Sequence, residues 1–560
     1  MENELSSPRP EAGKISADAI VIEPALGLGR WAPFNWERLP HSTGIRLFWG
    51  RIALWVAALA VAAWVAGATG LFFFIKYQRG FTDVKYEHVV LLPWKLADYR
   101  RSKGEFLIKE GLAKAERQEW RAAFSVLRPG LLAVPEHQEG RLMVARLYLM
   151  AGRPDVTRTT LLDGLEVHGG DISYLRQVLG YFFELQADET VIAVSEQLRE
   201  RLEAGTPAAR MARTALAYAH FNRSRYEEAE AALMAGNLLG TPEGRFVLAR
   251  IAWERGRRDE SIARLRELAV QAPQEDEAYA TLSDYLEQEG RWDEMRRAAW
   301  LRQLARPERP EAYVDYINAC IRAGDDAARA EATEGFFARF ADDTQALFKL
   351  AEFAASEGRV EEAVRVAGRC RELGRDEAIA SLLELSARLN RRAYGDVVER
   401  CIDLGREATR WTERHRLVMG GLRAAALYGL RQEMEAETLA RRLTDSTLLP
   451  PPVLTSLAGE LAAAGQSEAA RRVLAHAVML NTLYQPALVE LLRLQLQDGQ
   501  LQDSPALIDR LLGMRKPPQD LLADLAEGLG SDRYLFLSGR LDVQARIAEF
   551  LRWRAERVRG

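Results

Sequence analysis

The 560-residue chain carries three thiols, Cys320, Cys370 and Cys401, which lie too far apart to form a Cys-x-x-Cys metal site or a disulfide framework. They read as small buried residues on helices. Seven histidines are scattered singly between His41 and His476, and no His-Glu-x-x-His pair presents two ligands on one helical face. The glycine-containing stretch 164–170 holds no Lys-Ser or Lys-Thr pair that could cradle a phosphate, and no Gly-x-Ser-x-Gly elbow strains a nucleophile. Paired carboxylates such as Glu227–Glu228 and Glu361–Glu362 stand at helix starts, where acids complement the helix dipole. The sequence therefore predicts no catalytic site, no cofactor and no bound metal.

With chemistry set aside, the elements come forward. Hydrophobic residues make up 48% and charged residues 28%, enough apolar side chains for a large core, and a net charge of −4 excludes a global pull toward nucleic acid. From Ile52 to Ile75 the chain runs twenty-four residues without a charge. At about 1.5 Å per residue that run exceeds the roughly 30 Å of bilayer hydrocarbon, so a single transmembrane helix is expected. Arg46 and Arg51 flank it on one side, Lys76 and Arg79 on the other, with Trp49, Phe72, Phe73, Phe74 and Tyr77 where aromatic belts form. The flanking charges tie. The charged 51-residue tail, awkward to translocate without a leader, places the N-terminus in the cytoplasm and the larger C-terminal part in the periplasm. The basic set is mostly Arg, with nine Lys, a bias associated with GC-rich bacterial genomes, so the expected membrane is a bacterial inner membrane. Small-residue pairs Ala63–Gly67 and Ala66–Gly70 could let two such helices approach in a homo-oligomer.

Beyond Lys103 the texture is uniform, with Ala, Leu, Arg and Glu at helical period broken by a Gly, a Pro or a short polar turn. Gly256, Gly290, Gly324 and Gly358 are each 34 residues apart, as are Gly465 and Gly499. Each glycine closes one helix in a left-handed cap, and an acidic first turn opens the next. A small residue recurs where paired helices must touch, as Ala123, Ala229, Ser261, Ala363 and Ala470, followed one turn later by Leu127, Leu233, Leu265 and Leu474. Pro135, Pro242, Pro273 and Pro307 are expected to end units. This pattern resembles the tetratricopeptide repeat, whose 34-residue helix–turn–helix units stack into a right-handed superhelix. The resemblance is plain in units beginning near Gly104, Gly205, Pro242, Asp276, Pro310, Thr344, Pro451 and Tyr484. It degenerates between Asp171 and Gly205, around Tyr394, where Arg392 replaces the closing glycine, and after Asp520.

The fold expected is all-α: a tetratricopeptide-like α-solenoid over residues 103–560, preceded by a largely disordered tail (1–46), the membrane helix (47–76) and a connector (77–102). Within the tail, Ile20–Pro40 is too broken for a helix yet rich in Trp and Phe, a pattern that also suits a short partner-binding or membrane-surface segment. Tyr86–Trp94 reads as an interfacial connector or a cover for the first repeat. Arg540–Gly560 reads as a terminal capping helix with a charged outer face. The resemblance implies a concave groove for an extended peptide or a partner helix, with Tyr218, Arg250, Trp253, Asp284, Asn318 and Lys349 facing inward. The function expected is a membrane-anchored protein-interaction scaffold; the alternative is a structural part of an envelope secretion or exopolysaccharide assembly machine.

Overall fold

The computed structural model describes residues 22–24, 31, 34–39, 42–82, 84–92, 94–407 and 411–559. The chain divides into two compact units, Met1–His168 and Gly169–Gly560.

In the first unit, part of the tail expected to be disordered forms an antiparallel meander of β1 (Ile22–Pro24), β2 (Phe34–Leu39) and β3 (Ser42–Leu47), with Trp36 opposite Ile45. Aromatic and β-branched residues at Phe34, Trp36, Thr43 and Ile45 favour the pleated conformation over disorder. Ile20 and Val21 of that tail lie outside the described residues. Next comes α1 (Trp49–Phe73), which runs on through a π-turn to Gln78 and is long and apolar enough to cross a membrane. Its buried residue is Ala68, against which a short helix α2 (Tyr86–Val90) folds back. The Trp64 indole donates to the Val90 carbonyl at 2.8 Å, and the Thr69 and Tyr86 hydroxyls share a 2.7 Å hydrogen bond. Phe81 of the connector packs against Phe106 at 4.9 Å between ring centroids. Phe106 lies on α3 (Leu96–Glu116), so the 77–102 connector touches both the apolar helix and the first repeat. Two helix pairs complete the unit: α3 with α4 (Trp120–Ala133), and α5 (Gln138–Met150) with α6 (Pro154–His168).

The second unit is a run of antiparallel pairs. They are α7 (Ile172–Glu184) with α8 (Asp188–Arg201), α9 (Pro207–Asn222) with α10 (Tyr226–Ala235), and α11 (Pro242–Glu254) with α12 (Arg258–Gln271). Then follow α13 (Asp276–Gln288) with α14 (Trp292–Ala305), α15 (Pro310–Arg322) with α16 (Asp326–Phe340), and α17 (Thr344–Ser356) with α18 (Val360–Leu373). After these come α19 (Glu377–Asn390) with α20 (Tyr394–Glu407), α21 (Glu413–Gly429) with α22 (Glu433–Thr444), and α23 (Pro451–Ala463) with α24 (Ser467–Leu480). The last pairs are α25 (Gln485–Gln497) with α26 (Ser504–Leu512) and α27 (Gln519–Gly530) with α28 (Arg540–Arg559).

One turn joins the helices of a pair. At Gly290, φ is 67°, its amide bonds the Glu287 carbonyl at 3.0 Å, and the Arg291 amide reaches the Leu286 carbonyl at 2.8 Å, a Schellman closure. The same turn stands at Arg392 (φ 58°), where the Ala393 amide bonds the Arg388 carbonyl at 3.0 Å, and at Gln186 (φ 52°). The units around Gln186 and Arg392, degenerate in sequence, are thus regular in structure, with an L-residue accepting the left-handed conformation, whereas after Asp520 a longer loop with a 3-10 turn (Asp532–Tyr534) joins α27 to α28. Just past the turn, Ala229, Ser261, Ala363 and Ala470 are fully buried at the helix crossings, and the Ser261 hydroxyl is satisfied by the Ala249 carbonyl at 2.7 Å. Pro242, expected to end a unit, instead opens α11, where its missing N–H costs no helical hydrogen bond.

A β-branched residue at the left-handed turn is strained by roughly 1–2 kcal/mol or more. Gly290→Val is expected to speed limited proteolysis of the full chain at the α13–α14 turn, whereas Arg392→Gly should leave cleavage at its own turn unchanged or slower. Equal digestion of the Gly290 variant and the parent contradicts the turn assignment.

Candidate interaction groove and C-terminal seam

Arg250, Asp284 and Asn318 occupy the same position in α11, α13 and α15, 34 residues apart, and so form one column along the first helices of successive pairs. The Arg250 guanidinium lies 4.5 Å from the Phe221 ring and 5.5 Å from the Phe246 ring. Enclosure raises the Asp284 carboxyl above its usual value, with repulsion from Asp315 and Glu287 adding to it and Arg302 opposing. Asn318 is half-buried, and its Oδ1 has no hydrogen-bond partner. Lys349 is exposed and pairs with Glu352 at 3.2 Å. Trp253 differs from expectation: it is 7% exposed, stacked on Tyr285 at 3.7 Å with the planes 7° apart, and covered by Arg258 at 3.9 Å. Its ring is used up between neighbouring units, so it offers a partner little surface. Tyr218 is half-buried beside that cluster, and burial raises its hydroxyl pKa, reinforced by Glu277. The six positions are strung along the first helices α9, α11, α13, α15 and α17 instead of converging on one point.

A cleft of about 550 Å³ opens between α7 and α9. Leu179, Phe183, Met211 and Tyr218 line it, with Arg176, Arg210 and Glu243 among its polar residues. Gly180 lies in the cleft wall, with open space where a Cβ would stand. Of these residues only Tyr218 was legible as a groove position, because the α7–α8 pair falls in the stretch whose sequence looks degenerate.

The second unit also closes on itself. Arg515, just after α26, grips Asp188 at the start of α8 through two bonds of 2.8 and 2.7 Å, and the Asn222 amide donates to the same carboxylate at 3.0 Å. The Asp188 side chain is fully buried. Lys516 donates to Glu254 of α11 at 2.9 Å, and its ammonium lies 3.3 Å from the Phe221 ring centroid. The Tyr226 hydroxyl donates to the other Glu254 oxygen at 3.2 Å. Burial alone would raise the Glu254 carboxyl, but Lys516 and Arg554 hold it below its usual value. Burial pushes the Lys516 ammonium down to about 8, against the upward pull of Glu254 and with repulsion from Arg250 and Arg554.

The terminal helix α28 completes this seam. Arg554 is buried, donates to the Pro517 carbonyl at 3.0 Å and lies 3.6 Å from Glu254, while Arg557 reaches Glu228 of α10 at 3.1 Å. The expectation of a terminal cap with a charged outer face is corrected here: one charged edge of α28 faces inward, because carboxylates 300 residues earlier are there to neutralise it. The thiols sit apart from all this. Cys320, Cys370 and Cys401 are buried, and burial raises each thiol, Cys401 to about 12. No group of three or more His, Cys, Asp or Glu side chains that could hold a metal ion occurs among the described residues.

Neither a protein-family model nor a curated protein matches the chain. Among solved structures it is similar to a tetratricopeptide repeat protein from Parabacteroides merdae, at 14% identity and a TM-score of 0.31, over 42% of this chain and 93% of that one. It is also similar to pilF of Pseudomonas aeruginosa (11% identity, TM-score 0.27, 42% and 92% covered) and to a chain of the APC/C hetero-tetramer Cut9–Hcn1 (10%, 0.25, 82% and 96%). What decides the fold is internal to this chain: paired helices, a left-handed turn at 34-residue steps and a fully buried small residue at crossings such as Ala229, Ser261, Ala363 and Ala470. The chain folds as a tetratricopeptide-type solenoid. The column and the cleft both lie on first helices of pairs, α11, α13 and α15 for the column and α7 and α9 for the cleft.

The sign of the Lys516 shift gives a pH test. Its folded pKa, about 8, lies below the usual lysine value of 10.5, so between those limits the unfolded chain binds more protons and raising the pH favours the folded state. Chemical-denaturation midpoints of the full chain should rise from pH 7 to 9.5 relative to a Lys516→Met variant. Parallel curves for the two proteins contradict the burial of this charge.

Proposed function

We propose that the protein is a membrane-anchored scaffold, held by α1 and using the inner surface of its tetratricopeptide-type array to bind another protein. The observation that carries this reading is the cleft of about 550 Å³ between α7 and α9, apolar along Leu179, Phe183, Met211 and Tyr218 with Arg176 and Arg210 beside them. An apolar lining offers a partner side chain desolvated surface, and two guanidiniums favour an acidic segment, which they can bind in bidentate fashion. A partner that is extended or helical suits an array of repeated first helices, since it can touch several units at once. The anchoring part rests on the length and apolar character of α1 and on its almost wholly exposed surface. The scaffold belongs in this reading to a bacterial inner membrane, as a single-pass protein with the array outside the cytoplasm. On α1, Gly67 and Gly70 leave open space where a Cβ would stand, a strip on which a second copy of the helix could close up.

Two measurements test this. Arg176→Glu with Arg210→Glu in the full chain should lower recovery of cross-linked membrane partners at least tenfold while circular dichroism stays unchanged, in keeping with about 1–3 kcal/mol for each contact of this kind. Undiminished recovery of every partner removes the cleft from the binding site. For the topology, a reporter active only outside the cytoplasm, fused after Gly560, should be active. An inactive one beside an active cytoplasmic reporter inverts the orientation.

A further inference from the structure

The ion pairs of the seam are one-sided. Asp188, Glu228 and Glu254 all belong to α8–α11, and the cations that meet them, Arg515, Lys516, Arg554 and Arg557, all belong to residues 513–559. The acidic side also presents two aromatic faces, Phe221 and Tyr226, to Lys516, with ammonium-to-centroid distances of 3.3 and 5.8 Å. Apolar bridging is sparse by comparison. Val558 joins the cluster of Phe221 and Tyr226, whereas Phe550 and Leu551 pack with the core of α19–α28. A cavity of about 370 Å³ remains inside the seam, lined by Asn222, Arg223, Met514, Lys516, Phe550 and Trp553. Lys516 itself has φ 41°, a left-handed conformation for a residue with a side chain.

From this geometry we propose that the acidic, aromatic face of α8–α11 is a receptor for a basic helical segment, and that the chain's own residues 513–559 occupy it as a releasable internal ligand. Separating the two sides parts ion pairs whose desolvation offsets much of their attraction, and it leaves the apolar cores of α9–α11 and α19–α28 each within its own repeats. Buried ion pairs also join consecutive pairs, as Arg302 with Asp276 and Asp315, but there one apolar core runs on beneath them; at the seam the apolar bridge is Val558. Release of residues 513–559 opens the solenoid sideways and exposes Asp188, Glu228 and Glu254 together with Phe221 and Tyr226. The inference rests on the scaffold reading only for the use of that opening; the opening itself is measured without any partner.

The test uses the full chain in detergent, spin-labelled at Met234→Cys on α10 and Arg552→Cys on α28, both exposed positions, while the three native thiols are buried. Pulsed electron–electron resonance should give one short distance. Arg515→Ala with Lys516→Ala should move at least half of the population to longer distances, and a fluorescent peptide with the sequence of residues 540–559 should bind that variant at least tenfold tighter than the parent. Because the double variant removes a bond to buried Asp188 and could disturb folding, a more exposed pair provides the second measurement. Glu228→Arg alone should open the seam, and Glu228→Arg with Arg557→Glu should close it again. An unchanged short distance in both opened variants, or failure of the swapped pair to restore it, overturns the proposal. So does loss of the short distance when labelled protein is diluted into unlabelled protein, which would mean that the segment docks on a second copy. Loss of membrane partners from the cleft variant with normal opening of the seam would bear on the scaffold reading alone.

Discussion

No helix pair in this chain can bury its own apolar face; only the next pair can cover it. That constraint fixes the rest. Covering requires each pair to arrive in the same attitude, so the turn inside a pair must be the same each time, and the left-handed residue at Gly256, Gly290, Gly324 and Gly358 sets it. It also requires the helix axes to come close, which is why the crossings hold Ala229, Ser261 and Ala363 with no exposure at all. A larger side chain there would overpack the crossing and push the two backbones apart.

The same constraint creates a problem at the ends of the array, where one apolar face always lacks a neighbour. Within the second unit the answer is unusual in its chemistry. The last helix and the turn after α26 meet earlier pairs through ion pairs, the buried Asp188–Arg515 bond among them. Ionic contacts of this kind specify position sharply while adding little net stability, since each charge gives up water to make them. Consecutive pairs also share ion pairs, such as Arg302 with Asp276 and Asp315, but over a continuous apolar core; the seam, with less apolar surface behind its charges, depends more on ionic strength.

Much of the fold was legible because its defining residue is glycine, which makes the 34-residue step visible wherever it closes a helix. The step was hidden at Gln186 and Arg392, because a left-handed turn costs an L-residue only about 1–2 kcal/mol and neighbouring units supply that much through packing. The column of Arg250, Asp284 and Asn318 along the first helices followed from the same spacing. What spacing cannot show is which aromatic rings are spent on stacking, and so Trp253 looked available when Tyr285 and Arg258 enclose it. The seam was beyond reach for a different reason: Arg515 and Asp188 are 327 residues apart, and only the accumulated curvature of the intervening pairs brings them together. The meander of β1–β3 was missed because its strands are short and contain Pro and Gly, which read as breaks.

The hydrogen bonds from Trp64 and Thr69 to the α2 segment have a mechanical meaning. A protein tethered by a slack linker swivels, and its attitude toward the bilayer averages out. Here the connector doubles back and is pinned to α1 at two points five residues apart, while Phe81 clasps Phe106 on the first repeat. With α1 seated in a bilayer, α3 and the helices stacked on it inherit a preferred tilt, like a bracket bolted to a wall instead of a flag on a rope. A sideways load on those helices would then arrive at α1 as a torque, and changes in bilayer thickness that re-tilt α1 would swing the first repeats through a larger arc.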